Sequence, residues 1–190
     1  MSNKGFNVSP RSWSKIREEA LRLRKCFALD LDKPFPVTKF LGILYDDLDL
    51  LQVEIIEKDK RTAAIEAFIP IDGSSPPRML IREDVYDKAC NGEGRARFTI
   101  AHELGHLFLH VYDQESYIMA RTNQSVGNIP PYCDSELQAN QFAAEILMPV
   151  GGIWIGDTEA DLMERFGVSQ LAASNRLRYL SEKGLLKAKP

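Results

Sequence analysis

Arg97-Phe98-Thr99-Ile100-Ala101-His102-Glu103-Leu104-Gly105-His106-Leu107-Phe108-Leu109-His110 is the stretch on which the reading of this chain turns. Mostly apolar residues surround a His-Glu-x-x-His core, a pattern that predicts a buried helix. At about 3.6 residues per turn, positions four apart share a face, so the imidazoles of His102 and His106 can converge on one metal ion. Glu103 leans toward that face without being a ligand itself, as a general base beside a Lewis acid would. Five residues with two wild cards also arise by chance in apolar helices, so the motif needs support from the rest of the chain.

A catalytic zinc usually has three protein ligands and leaves one position open. The chain has 190 residues and 3 histidines, all of them in this helix. Eight residues of continuous helix rise about 12 Å, so His110 and His102 cannot meet at one ion. No glycine interrupts Leu107-Phe108-Leu109, and His110 is expected either to be structural or to support a ligand from behind. Downstream, Ser135 followed by Gln138 is a capping-box signature for a helix over 136–148, which Pro149 stops. Ala139, Phe142, Ala143 and Ile146 form its apolar stripe. This helix offers Glu136 and Glu145 as third ligands. Glu136 is favoured, because Asn140 one turn later could hydrogen-bond a ligand and hold its orientation. The same position suits an acidic residue that merely complements the helix dipole.

The remaining chain reads as one core with an annex. Ser9-Pro10 predicts the start of an amphipathic helix over 10–28 with Trp13, Ile16, Ala20, Leu23 and Phe27 inward. Arg17, Glu18, Arg22, Arg24 and Lys25 form its expected wet face. A short helix over 37–45 follows Pro34 and Pro36. Leu51, Val53 and Ile55 then alternate with polar residues, and a second run covers 63–69, so the two read as a hairpin, with Arg78-Met79-Leu80-Ile81 as a third strand. The edge of such a sheet could pair with an extended peptide, or the sheet could simply cover the helix. The polar stretch over 112–133 is long enough to line or cover a site, and supplies Tyr112, Tyr117, Arg121 and Tyr132 as candidate oxyanion stabilisers.

From Asp157 the texture changes. Thr158 with Asp161 forms a second capping box, and Gly167-Val168-Ser169 joins two helices in a helix-turn-helix-like pair. Six basic against five acidic residues from Asp157 to Pro190 give 6 − 5 = +1, less basic than the face a specific DNA reader presents. Packing or recognition of a substrate protein is preferred for this pair. The whole chain carries 24 basic and 27 acidic residues, a formal charge of −3, which announces neither a nucleic-acid nor a membrane surface. No signal-peptide pattern and no run of about 18 apolar residues occurs, so a cytoplasmic location is expected. Cys26, Cys90 and Cys133 match neither a disulfide framework nor a metal knuckle and read as reduced, mostly structural thiols.

The block 97–106, followed by Glu136-Leu137-Gln138-Ala139-Asn140-Gln141-Phe142-Ala143-Ala144-Glu145-Ile146-Leu147-Met148-Pro149, closely resembles the ImmA/IrrE metallopeptidase family. The resemblance covers 78–180 well and 1–77 in general layout. It implies a gluzincin-like zinc peptidase with ligands His102, His106 and Glu136 and catalytic base Glu103, the metal being zinc with manganese as the alternative. The fold class expected is α+β. A mostly helical zincin-like domain over 1–150 carries a small antiparallel or mixed sheet on the motif helix, and a helix-turn-helix-like extension follows over 151–190. The family also implies a substrate protein, a DNA-binding repressor or antitoxin whose cleavage relieves transcriptional repression. Two other readings stand beside this one. One is a small-molecule amide hydrolase on the same metal triad. The other is a DNA-binding regulator working through the C-terminal pair, its metal site vestigial.

Overall fold

The computed structural model describes residues 5–60, 62–113 and 129–189. Helix α1, Trp13–Cys26, begins later than Ser9-Pro10 predicts, because Ser12 caps it by accepting the Lys15 N–H. The chain before it is committed elsewhere: Asn7 bridges Asp134, and the Val8 N–H donates to the Cys133 carbonyl. Ile16 and Ala20 are buried as expected, but so is Arg24, which was expected to be wet. Its guanidinium donates to the carbonyls of Ile146, Asp30 and Lys33, closing loops that would otherwise bury unpaired acceptors. Burial, partly offset by Asp32, pulls the Arg24 pKa down to about 10.

Helix α2, Val37–Gly42, widens into a π turn over Ile43–Asp47. The strands that follow are β1, Gln52–Ile56, β2, Ala67–Phe68, and β3, Arg78–Arg82. They do not form the expected hairpin. Their order is β1-β3-β2, with β1 parallel to β3 and β2 antiparallel to it. β3 takes the centre because Met79 and Ile81 bury one face completely, and burying a strand on this scale favours ladders on both sides. Only Ala67–Phe68 of the expected 63–69 run pairs, which leaves β2 as a short edge.

Helix α3, Glu83–Cys90, was not anticipated, although it carries Glu83 and Asp84 in its first turn and Lys88 in its last. Helix α4, Gly94–His106, contains the motif and widens into a π turn over Leu107–Val111, where the Tyr112 N–H reaches the Leu107 carbonyl at 3.0 Å. Helix α5, Ser135–Leu147, is capped by Asp134, whose side chain accepts the Glu136 and Leu137 N–H groups. The expected Ser135–Gln138 box is absent, because the Ser135 hydroxyl instead accepts the Phe6 N–H. Ala139, Phe142, Ala143 and Ile146 are all fully buried.

Helices α4 and α5 form the central pair. They approach so closely that a Cβ on Gly105 would stand 3.0 Å from the Ala139 Cα, so this position tolerates no side chain without displacement. Helices α6, Glu159–Phe166, and α7, Gln170–Glu182, pack onto the same cluster through Leu162, Phe166, Ala173 and Leu180. The Thr158–Asp161 capping box forms as expected, and Gly167 ends α6 at φ 61°, where a side chain would be strained. From α4, Arg97 donates to the Phe166 and Gly167 carbonyls and to that of Phe35, so the motif helix itself caps α6. The three cysteines are unpaired, with Cys26 and Cys90 exposed rather than packed. No helix among the described residues is long and apolar enough to cross a membrane.

Candidate metal centre

Helical spacing on α4 and the first turn of α5 bring three of the predicted site residues together. Nε2 of His102 and Nε2 of His106 lie 3.0 Å apart. Each faces one oxygen of the Glu136 carboxylate, at 3.3 Å and 3.4 Å respectively. Among the described residues this is the group of potential ligands that closes within 4.8 Å. Atoms held about 2.0–2.1 Å from a tetrahedral zinc stand about 3.3 Å from one another. The observed spacings therefore suit one divalent ion, with two imidazole nitrogens and a carboxylate as its donors.

The electrostatics follow from packing. Burial alone would raise the Glu136 carboxyl, but the two imidazoles facing it hold it well below the usual carboxylate range. Burial would lower His102, yet Glu136, Glu103 and Asn140 together raise it. Glu103 is buried, and desolvation pushes its carboxyl up while His106, His102 and the Ile69 backbone N–H pull against that. The Asn140 amide lies 3.1 Å from Nδ1 of His102 at hydrogen-bond distance, the contact its position one turn after Glu136 predicts.

His110 supplies no donor to the group of three. It is 3% exposed, with Nδ1 3.2 Å from Nδ1 of His106 and Nε2 3.1 Å from Oε1 of Gln138. Burial, reinforced by His106, brings its pKa down to about 3. Glu145, the less favoured candidate for the third ligand, lies on the other side of α5 and is fully buried against Arg176 and Arg17.

A cleft of about 300 Å³ opens over the histidines, walled by residues 67–71, by Phe6 and Val8, and by Ser135 and Glu136. A larger, mostly apolar groove of about 830 Å³ runs along α4, α5 and α7 and contains none of the three candidate ligands. Of the candidate oxyanion stabilisers, the Tyr112 hydroxyl donates to the Leu50 carbonyl, Tyr132 is exposed, and neither lines the cleft. Tyr117 and Arg121 lie outside the described residues. The sequence reading missed the cleft walls at Phe6, Val8 and Ile69 and the contact of Gln138 with His110. All of these depend on long-range pairing that leaves no local pattern.

In the C-terminal pair, Arg176 is sequestered by Glu145 and the Met148 carbonyl. Arg165 makes two hydrogen bonds to Asp157, so both cations are taken from any exposed basic face. Comparison with curated proteins gives no match. A family profile, that of the IrrE N-terminal-like domain of peptidase family M78, matches residues 70–178, a span that contains His102, His106 and Glu136. With more than half of its length inside that match, the chain belongs to the ImmA/IrrE family of metallopeptidases.

Proposed function

We propose that the chain is a zinc-dependent endopeptidase, with manganese as the alternative metal, that cuts a peptide bond in a transcriptional repressor or antitoxin. The observation that carries the chemistry is the convergence of His102, His106 and Glu136 beside the buried carboxylate of Glu103, at the floor of a cleft with an extended wall. The substrate class rests on family membership, and the unpaired cysteines accord with a reducing, cytoplasmic setting.

When bound, the metal polarises the scissile carbonyl and makes water a better nucleophile near neutral pH. His102 and His106 present Nε2 to it, and Asn140 fixes the ring of His102 through Nδ1. Glu103 takes the proton from the attacking water and passes it to the leaving amine. The Ile69 backbone N–H, in the cleft wall after β2, helps to offset the burial of that carboxylate. The short edge of β2 offers backbone groups on which an extended substrate can lie as an added strand.

The test incubates zinc-loaded protein with the regulator encoded beside its gene, with and without a chelator. Cleavage is expected only with metal. Glu103→Gln should still bind one zinc while turnover falls about 10²–10⁴-fold. Undiminished turnover in that variant would remove Glu103 from its role.

A further inference from the structure

Gln138 is fully buried, and its amide has three partners. Nε2 donates to the Ser9 carbonyl at 3.0 Å and to the Tyr132 carbonyl at 2.8 Å. Carbonyl oxygens only accept, so turning the amide over would set its oxygen against both of them. Oε1 is thereby held toward Nε2 of His110, 3.1 Å away, and an oxygen at that distance requires the hydrogen to sit on Nε2. The buried ring has an amide oxygen against one nitrogen and another imidazole against the other, with no carboxylate to hold a second hydrogen, so Nδ1 of His110 is left as a bare acceptor. It stands 3.2 Å from Nδ1 of His106, and the hydrogen between them must then belong to His106. With Nδ1 protonated, a neutral His106 keeps its lone pair on Nε2, the nitrogen that faces Glu136.

We propose that Gln138 and His110 are positioning residues that fix the tautomer of His106 and so make Nε2 its metal-binding atom, an inference that rests on the metal-centre reading above. The two ligand histidines are therefore held differently. His102 leans on Asn140, whose exposed amide can turn over in water. His106 is held by a chain of buried groups that ends on two backbone carbonyls and has one consistent direction.

Nitrogen-15 NMR of the ring nitrogens tests this directly, since the chain has only 3 imidazoles. In the native protein His110 should carry its hydrogen on Nε2 and none on Nδ1, with and without zinc. A His110 protonated on Nδ1, or on both nitrogens, overturns the proposal without any variant having to fold. His110→Phe keeps the packing but removes the acceptor, and should weaken zinc binding about 10–100-fold in competition with a fluorescent chelator. His110→Asn puts a carbonyl oxygen where Nδ1 stood and should recover most of that loss. Native affinity in His110→Phe, or equal losses in the two variants, would sink the positioning role. Gln138→Met retains length without the amide, and His110 should then sample both tautomers; a single Nε2–H form in that variant would exonerate Gln138. None of these readouts involves a substrate, so failure to cleave any protein would count against the proposed function alone.

Discussion

Glu136 and Glu145 are carboxylates of the same helix, and they live under opposite conditions. At about 100° per residue, nine steps carry the chain to the opposite face, so α5 turns one carboxylate toward α4 and the other toward α1 and α7. Glu145 is saturated: Arg176 meets both of its oxygens, Arg17 and Gln141 add further hydrogen bonds, and no part of it is exposed. Glu136 faces only two imidazole nitrogens, each of which can bind a metal. A carboxylate neutralised by permanent guanidinium charge is a staple, and one facing imidazoles is open to an exchangeable cation. Burial alone would have selected Glu145.

The largest effect should come from the staple. Glu145→Gln leaves Arg176 buried beside a neutral amide and is expected to cost about 3–5 kcal/mol in urea denaturation, with zinc affinity of the folded protein little changed. A Glu145 variant that keeps its stability but loses zinc would reverse the comparison. Next, Glu136→Gln should lower zinc affinity by more than the roughly 100-fold that outer partners command, measured by chelator competition. Its metal-free form should lose some stability as well, because the two imidazoles stabilise the carboxylate, but less than Glu145→Gln does; a loss as large as that of Glu145→Gln would make Glu136 a staple too. Asn140→Ala should weaken zinc binding about tenfold, with folding preserved.

The smallest effect belongs to a third carboxylate, Asp157, which is only partly buried beside Arg165. Hydrogen bonds from Arg165 outweigh burial and hold the Asp157 carboxyl below its usual value. Its folded pKa is therefore below its unfolded one, so its contribution is present in full above about pH 4 and is lost as pH falls through the folded value. Native protein should shed an increment of under about 1 kcal/mol in acid that Asp157→Asn does not. Identical acid profiles for the two proteins would show that the pair contributes nothing.

What could be read from the sequence was what is local. The spacing of His102 and His106, the place of Glu136 in a first turn, and Asn140 one turn later follow from helix geometry, and the structure brings these four together. Failures came where a distant partner decided the outcome. The hairpin reading of 51–69 failed because β3, not the neighbouring run, supplies the ladder for both strands. Arg24 was placed in water because charge patterning cannot see the three carbonyls waiting for it. The cap of α5 was misread by one residue because the Ser135 hydroxyl is claimed by Phe6, 129 positions away. For the same reason Gln138 read as a capping residue, when its amide is spoken for by Ser9 and Tyr132.

Arg97 ties α4 to the end of α6, and Arg176 ties α7 to α5, so the helices that hold the ligands and those at the C-terminus share hydrogen bonds as well as a core. Trp154 sits at the base of this second group, with the Arg165 guanidinium 4.4 Å from its ring centroid and Lys189 5.1 Å away. Any ion that binds only the folded chain stabilises it by mass action, by about 2.7 kcal/mol at a hundred times the dissociation constant. An indole away from the metal centre thus becomes its gauge: the melting temperature read from Trp154 emission in a Trp13→Phe background should climb with zinc concentration.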